Sequence, residues 1–159
     1  MLAVTEKAIR ASFINASKKE VSDLTLPEGF DALDFEKLDY LGWRDRKIAR
    51  RAYIVIATDA GPVGIMLKQA EASPRSRAQC SWCSDVTLPN EVVLYTARRS
   101  GAEGRKGDVI GTLICSNFEC SVNVRRLPPV AYLGFDVEAA RDERIATLQQ
   151  RVSDFAARV

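Results

Sequence analysis

The residues of this sequence best placed to do chemistry are four cysteines, and they come in two pairs: Cys80-Ser81-Trp82-Cys83 and Cys115-Ser116-Asn117-Phe118-Glu119-Cys120. A CxxC turn aims two thiolates at one point and supplies half of a tetrahedral Zn²⁺ site. The second pair has a wider gap, and the local sequence suggests how it converges. Ser116-x-x-Glu119 is a capping-box pattern, which predicts Ser116 as an N-cap and Glu119 as the third helical residue. Cys115 then precedes the cap and Cys120 takes the fourth helical position. Those are the two places whose side chains meet in a hydrophobic staple, here made of sulfur. A helix start also turns free N–H groups and a positive dipole end toward the thiolates, whose complex with Zn²⁺ is anionic. Val122 and Val124 are weak helix formers, so a strand continuing from the second pair is also compatible with the sequence.

Other uses of the cysteines account for less. Two disulfides suit an exported chain. A thioredoxin-like CxxC opens a helix after a buried strand, whereas CSWC follows a polar segment and leaves the second pair unexplained. Unligated buried cysteines need no such pairing. One Zn²⁺ per chain, held by Cys80, Cys83, Cys115 and Cys120, uses all four. Four sulfur ligands leave no position open for water, so the expected metal is structural rather than catalytic.

The sequence has no histidine, which excludes Ser-His and Cys-His nucleophile pairs, HExxH sites and every His-ligated metal. No acid–base pair stands out in its place, and the expectation is that the protein is not an enzyme. Gly101, Gly104 and Gly107 lie in SGAEGRKG, whose spacing is not GxxxxGK[ST]; this reads as a hairpin tip rather than a phosphate loop. Asp142-Glu143 reads as solvated charge on a helix, and Tyr40 and Trp43 as core anchors. Inside its two-residue knuckle, the Trp82 ring must either cover the metal or project outward, where it could anchor a partner. The sequence leaves both open.

These residues need elements to position them. With 159 residues, 17.6 kDa, 47% hydrophobic and 28% charged residues, the chain suits one soluble globular domain. No apolar run approaches the roughly 20 residues of a membrane span, and MLAVTEKAIRAS lacks the h-region of a signal peptide, so the expected location is cytoplasmic. A first helix capped by Thr5 is expected over about 5–17, with Ala8, Ile9, Phe13 and Ala16 as its apolar stripe. FDALDFEKLDYLGW has a mixed period and reads as irregular or a short helix. AYIVIAT (52–58) and VGIMLKQA (63–70) flank Asp59-Ala60-Gly61-Pro62 as a hairpin, and EASPRSRAQ (71–79) reads as a loop. VVLYTARR (92–99) and DVIGTLIC (108–115) form a second hairpin with a mobile, basic tip. An amphipathic helix over about 136–157 carries Ile145, Leu148, Val152 and Phe155, with Asp136 as its cap. The fold class is α+β. Antiparallel β-hairpins and a treble-clef zinc finger, its core at about 78–127, are flanked by an N-terminal and a C-terminal helix in one domain over 1–159.

LDYLGWRD (38–45), the CSWC knuckle, YTARRSG (95–101) and GTLICSNFECSVNVR (111–125) together resemble the FBP family, the FusB-type proteins related to the C-terminal treble-clef domain of elongation factor G-binding proteins. The resemblance extends from about Thr5 to the last helix and is looser ahead of Phe30 and in the tail. It implies one zinc on Cys80, Cys83, Cys115 and Cys120, with Arg98 and Arg99 at a basic strand end of the same finger. It also implies binding to elongation factor G and, in resistance proteins, help in releasing the factor trapped on the ribosome by fusidic acid. Those resistance proteins carry a helical bundle ahead of this domain, for which this sequence has room for only a first short helix.

Two function classes follow. The first is a zinc-stabilised adaptor that binds elongation factor G on or off the ribosome, without membrane contact. Its expected contact surface is the knuckle with Trp82 and the tip with Arg98, Arg99, Arg105 and Lys106. The second is a nucleic-acid binder, on ribosomal RNA, using the basic clusters at 44–51 and 98–106. The net charge of +2 does not favour nucleic acid by itself.

Overall fold

AYIVIAT is apolar at nearly every position, and a strand of that kind needs cover on both faces. The computed structural model describes residues 1–71, 78–86 and 91–159. The strands are β1 (Leu41–Arg44), β2 (Arg51–Thr58), β3 (Gly61–Gln69), β4 (Val92–Arg98) and β5 (Val109–Cys115). They form one antiparallel sheet in chain order, β1-β2-β3-β4-β5. Along β2 the alternation of strand side chains separates two cores. Ala52, Ile54 and Ile56 join the larger core with the four cysteines, and Tyr53 and Val55 join a second one with Ile9, Leu41 and Trp43. The expected β2–β3 hairpin is present, with Thr58 opposite Gly61. Of the expected loop at 71–79, residues 72–77 lie outside the described ones.

The single N-terminal helix is instead two short ones, α1 (Glu6–Ser12) and α2 (Lys18–Ser22). Thr5 does cap the first, accepting from the N–H of Ala8 at 3.2 Å. The helix stops because the chain meets the sheet: Phe13 bridges to Gly64, and the N–H of Ile14 donates to the Gly64 carbonyl at 3.0 Å. A Cβ on Gly64 would stand 2.5 Å from Ser12 Oγ, so the glycine makes this approach available. Ser17 and Glu20 then form a capping box that starts α2.

Asn15, between the two helices, is buried and fills a gap in the sheet. Among the described residues the β3–β4 ladder comprises the pairs Lys68↔Thr96 and Gln69↔Tyr95. Beyond them Asn15 Nδ2 donates to the carbonyls of Met66 (3.0 Å) and Arg98 (2.9 Å), and its Oδ1 accepts from the Met66 N–H at 2.8 Å. One side-chain amide thus substitutes for ladder bonds that the splayed strands cannot make.

FDALDFEKLDYLGW forms two 3₁₀ turns (Phe30–Ala32 and Phe35–Lys37) and then β1. Tyr40 and Trp43 are buried, as expected of core anchors. The second hairpin pairs β4 with β5 from Val92↔Cys115 to Arg98↔Val109. Its tip is a helical turn, α3 (Gly101–Arg105), rather than an open loop. A Cβ on Gly104 would fall 1.7 Å from the Arg99 carbonyl oxygen, so only glycine lets the turn close there. The remaining helices are α4 (Cys120–Arg125) and α5 (Val137–Arg158). Asp136 caps α5 by accepting from Glu138 (3.1 Å) and Ala139 (2.9 Å), and Leu148, Val152 and Phe155 are buried. Among the described residues no helix is long and apolar enough to cross a membrane.

Candidate metal centre

Each half of the centre is aimed by local structure. The CSWC knuckle is a turn pinned to the sheet by the Ser81 N–H on the Leu113 carbonyl (2.7 Å) and closed by the Ser84 N–H on the Cys80 carbonyl (2.9 Å). Cys115 ends β5, and Cys120 is the first residue of α4. The capping-box expectation for the second pair is therefore corrected. Glu119 occupies the cap position, no side chain among the described residues caps α4, and Cys120 is the first helical residue rather than the fourth. The chain reverses at Phe118, whose φ of 64° is left-handed, so the helix cannot begin until after it.

Aromatic side chains hold this reversal in place. Phe118 stacks on Tyr95 with centroids 5.2 Å apart, and Tyr95 donates its hydroxyl to the Ser116 carbonyl at 2.8 Å. Beneath Phe118 lies Gly42, where a Cβ would stand 2.6 Å from the ring. The tight LGW segment of β1 is thus part of the metal centre's support.

The four sulfurs lie within 4.8 Å of one another, and all four residues are buried. Cys80 Sγ to Cys120 Sγ and Cys83 Sγ to Cys115 Sγ are both 3.6 Å. Zn–S bonds of about 2.3 Å in a tetrahedron put sulfurs about 3.8 Å apart, so the geometry fits one Zn²⁺. It does not fit disulfides, whose S–S bond is about 2.05 Å; the four thiols are free. Hydrogen bonds from Cys115, Cys120 and Cys83 draw the Cys80 thiol far below its usual range. Cys120 is pushed far above it, by its hydrogen bonds to Cys115, Cys80 and Cys83 and by burial. A divalent ion would bind all four sulfurs as thiolates, with release of their protons.

Two features of the site are not visible in the cysteine spacing. Asn123 on α4 is buried and directs Nδ2 to Sγ of Cys115 (3.6 Å) and of Cys83 (3.7 Å), one sulfur from each pair. Its position three residues after Cys120, on the same helix face, is the signal that would have found it. Asp39, its carboxylate almost fully buried, accepts from Arg125 on α4 and from Gln149 Nε2 on α5 (2.9 Å), while its own N–H donates to Ser121 Oγ at 3.0 Å. This cluster fixes α4 against α5 and against the chain entering β1.

The expected partner-binding residues do not gather on one surface. Trp82 is 3% exposed and turns inward, its ring edge-on to Tyr40 (5.1 Å) and Phe155 (5.6 Å), so it covers the centre and offers no outward anchor. The basic tip lies at the far end of the β4–β5 hairpin. Six residues of strand, about 20 Å, separate the Cys115 row from the Arg98 row. Arg98 donates to the Asn15 carbonyl (3.0 Å) and pairs with Glu20 (3.6 Å). Arg99 donates to the Arg158 carbonyl (3.1 Å) and pairs with Glu103 (2.7 Å). Arg105 and Lys106 are exposed. Arg98 and Arg99 therefore tie the N-terminal segment and the end of α5 to the hairpin.

A CxxC knuckle, a β-hairpin and a helix that opens on the fourth sulfur define a treble-clef zinc finger, here built into the edge of a larger sheet. The chain belongs to the FBP C-terminal treble-clef zinc-finger family, which matches residues 8–159. Among solved structures it is similar to the fusidic acid resistance protein FusC, at 18% identity and a TM-score of 0.48, covering 68% of this chain and 52% of that one. The chain spans about half the length of that protein. No curated protein matches it.

Proposed function

We propose that the protein is a zinc-stapled adaptor that docks on translation elongation factor G, free or ribosome-bound, and favours its release. The reading is supported by membership of the FBP family across residues 8–159, together with the partner that the family resemblance implies. The metal's part in it is mechanical. Four buried thiolates close the coordination shell and leave no water to activate, so the ion holds two knuckles in register and does no chemistry. The nucleic-acid alternative is weakened by the acids that fold onto its basic clusters: Arg50 pairs with Glu71, Arg98 with Glu20 and Arg99 with Glu103.

Immobilised, zinc-loaded protein should bind purified elongation factor G from its own organism saturably. Affinity should fall less than about tenfold between 50 and 200 mM salt, whereas a protein neutralising six to ten phosphates loses roughly 10³–10⁵ over that range. Absence of binding to both the free and the ribosome-bound factor overturns the reading. A loss on the phosphate scale replaces it with the RNA-binding one.

A further inference from the structure

Beside the knuckle, α4 and its C-terminal extension diverge from α5 and leave a cleft of about 470 Å³. Its lining includes three arginines, Arg126, Arg144 and Arg151, one carboxylate, Asp85, and an apolar stretch, Leu127-Pro128-Pro129. Several arginines elsewhere meet carboxylates, among them Arg10, Arg50, Arg98, Arg99, Arg125 and Arg141. None of the three cleft arginines has an ion pair among the described residues. Arg144 spends its donors on the carbonyls of Arg126 and Asn123 (both 3.0 Å), and Arg151 on the Trp82 carbonyl (3.1 Å) and Ser84 Oγ (2.7 Å). These bonds hold the guanidinium groups of Arg144 and Arg151 in place, and with Asp85 as the carboxylate in the lining the cleft keeps a net positive charge. Next to them Leu127 is 55%, Val130 71% and Leu133 102% exposed, an apolar run on the same connection between α4 and α5. Arginine and exposed apolar bulk side by side are the composition of an interface rather than of ordinary surface.

From this juxtaposition we infer that the cleft is the docking site for a partner protein, and that its occupant is an acidic segment carrying a bulky apolar side chain. The carboxylates would supply the partners that Arg126, Arg144 and Arg151 lack, and the apolar side chain would cover Leu127 and the prolines. An RNA strand fits less well, because aliphatic and proline walls offer no stacking platform and Trp82 is buried. This inference deepens the adaptor reading and rests on it for the identity of the partner. It moves the contact surface from the hairpin tip to the opposite end of the finger. If the three charges served only to balance the anionic zinc centre, their reversal would lower zinc content and leave peptide binding by the zinc-loaded fraction unaltered.

The test uses the zinc-loaded full chain and two probes. The first is a displayed library of short random peptides. Wild-type protein should enrich sequences in which Asp or Glu flank Leu, Ile or Phe. Arg126→Glu combined with Arg144→Glu should reduce their binding by about tenfold or more at unchanged zinc content. Leu127→Asp should do the same, while Arg105→Glu with Lys106→Glu at the tip should stay within about twofold. Because Arg144 also braces α4, Arg126→Glu alone and Leu127→Asp keep the test readable if the double variant fails to fold. No acidic enrichment, retention by the cleft variants, or a loss that tracks zinc loss overturns the inference. So does enrichment of basic peptides, or an RNA fragment that binds and is lost in the same variants.

The second probe is elongation factor G, which the enriched peptides should displace. If wild type binds the factor and neither peptide nor Leu127→Asp alters that binding, the cleft is not the docking site and the adaptor reading stands. If wild type does not bind the factor, the adaptor reading fails and the cleft is judged on the peptide result.

Discussion

Asn123 places its side-chain nitrogen 3.6 Å from Sγ of Cys115, donating an N–H to a sulfur that the metal needs as a thiolate. The same nitrogen reaches Cys83 at 3.7 Å, so one amide joins the two ligand pairs from outside the coordination shell. Partners of this kind typically govern metal affinity by about 10–100-fold. Asn123→Ala should weaken zinc binding by about that factor in a chelator competition. Asn123→Asp should weaken it further, because a carboxylate would face the thiolates. Unaltered affinity in both would show that the amide only fills space.

Zinc ties segments that the chain alone holds loosely. The stretch of chain from Cys83 to Cys115, between the ligand pairs, includes the whole β4–β5 hairpin. Structural zinc supplies roughly 10–16 kcal/mol in isolated fingers, comparable with the whole net stability of a domain. Elemental analysis should find one zinc per chain. Chelation or Cys80→Ser should abolish cooperative melting of the larger core, with loss of the near-ultraviolet signal of Trp82, whose ring packs between Tyr40 and Phe155. A Cys80→Ser protein with full metal content and unaltered melting would contradict this.

Arg98 and Arg99 act far from the metal. Their bonds run to the carbonyls of Asn15 and Arg158, at the two ends of the chain's path. Both guanidinium groups are partly exposed, which limits the worth of their ion pairs. Arg98→Glu with Arg99→Glu should lower stability by about 1–2 kcal/mol in denaturant unfolding and leave zinc content unchanged. Loss of metal in step with loss of stability would place these arginines in the zinc centre's electrostatics instead.

Asp45 gives the β1–β2 connection a pH dependence. Its carboxylate accepts from the Tyr53 hydroxyl and from the N–H groups of Lys47 (2.8 Å) and Ile48 (3.0 Å). Burial opposes ionisation, but these bonds and the Arg51 charge hold the carboxyl below its ordinary 3.8. A depressed folded value means stabilisation that is complete above the unfolded value and lost as pH falls through the folded one. Asp45→Asn should therefore cost about 1–3 kcal/mol at pH 7, and the gap to wild type should close toward pH 2–3. A gap that stays constant across this range would assign the cost to geometry rather than charge.

Local chemistry in the sequence determined the ligand set, the second hairpin and the last helix. Two cysteines spaced for a turn and two more at the end of an apolar run need no distant information to be read as one metal site. Asp136 capping a run with Ile145, Leu148, Val152 and Phe155 on one face is likewise a local signal, and it holds. Tertiary contact decided the rest. Ser116-x-x-Glu119 is a sound capping box by itself, but Cys115 and Cys120 must both point at one ion, and the left-handed Phe118 that achieves this delays the helix to Cys120. The first helix breaks because Gly64, distant in sequence on β3, admits Phe13 to the sheet. Trp82 turns inward because Tyr40 and Phe155 wait on either side of it. The cleft arginines come from the end of α4 and from α5, elements whose meeting no periodicity encodes. Periodicity and spacing report what neighbours in the chain can do together, whereas the burial of Trp82 and the convergence of Arg126, Arg144 and Arg151 depend on contacts that exist only once the sheet and helices have packed.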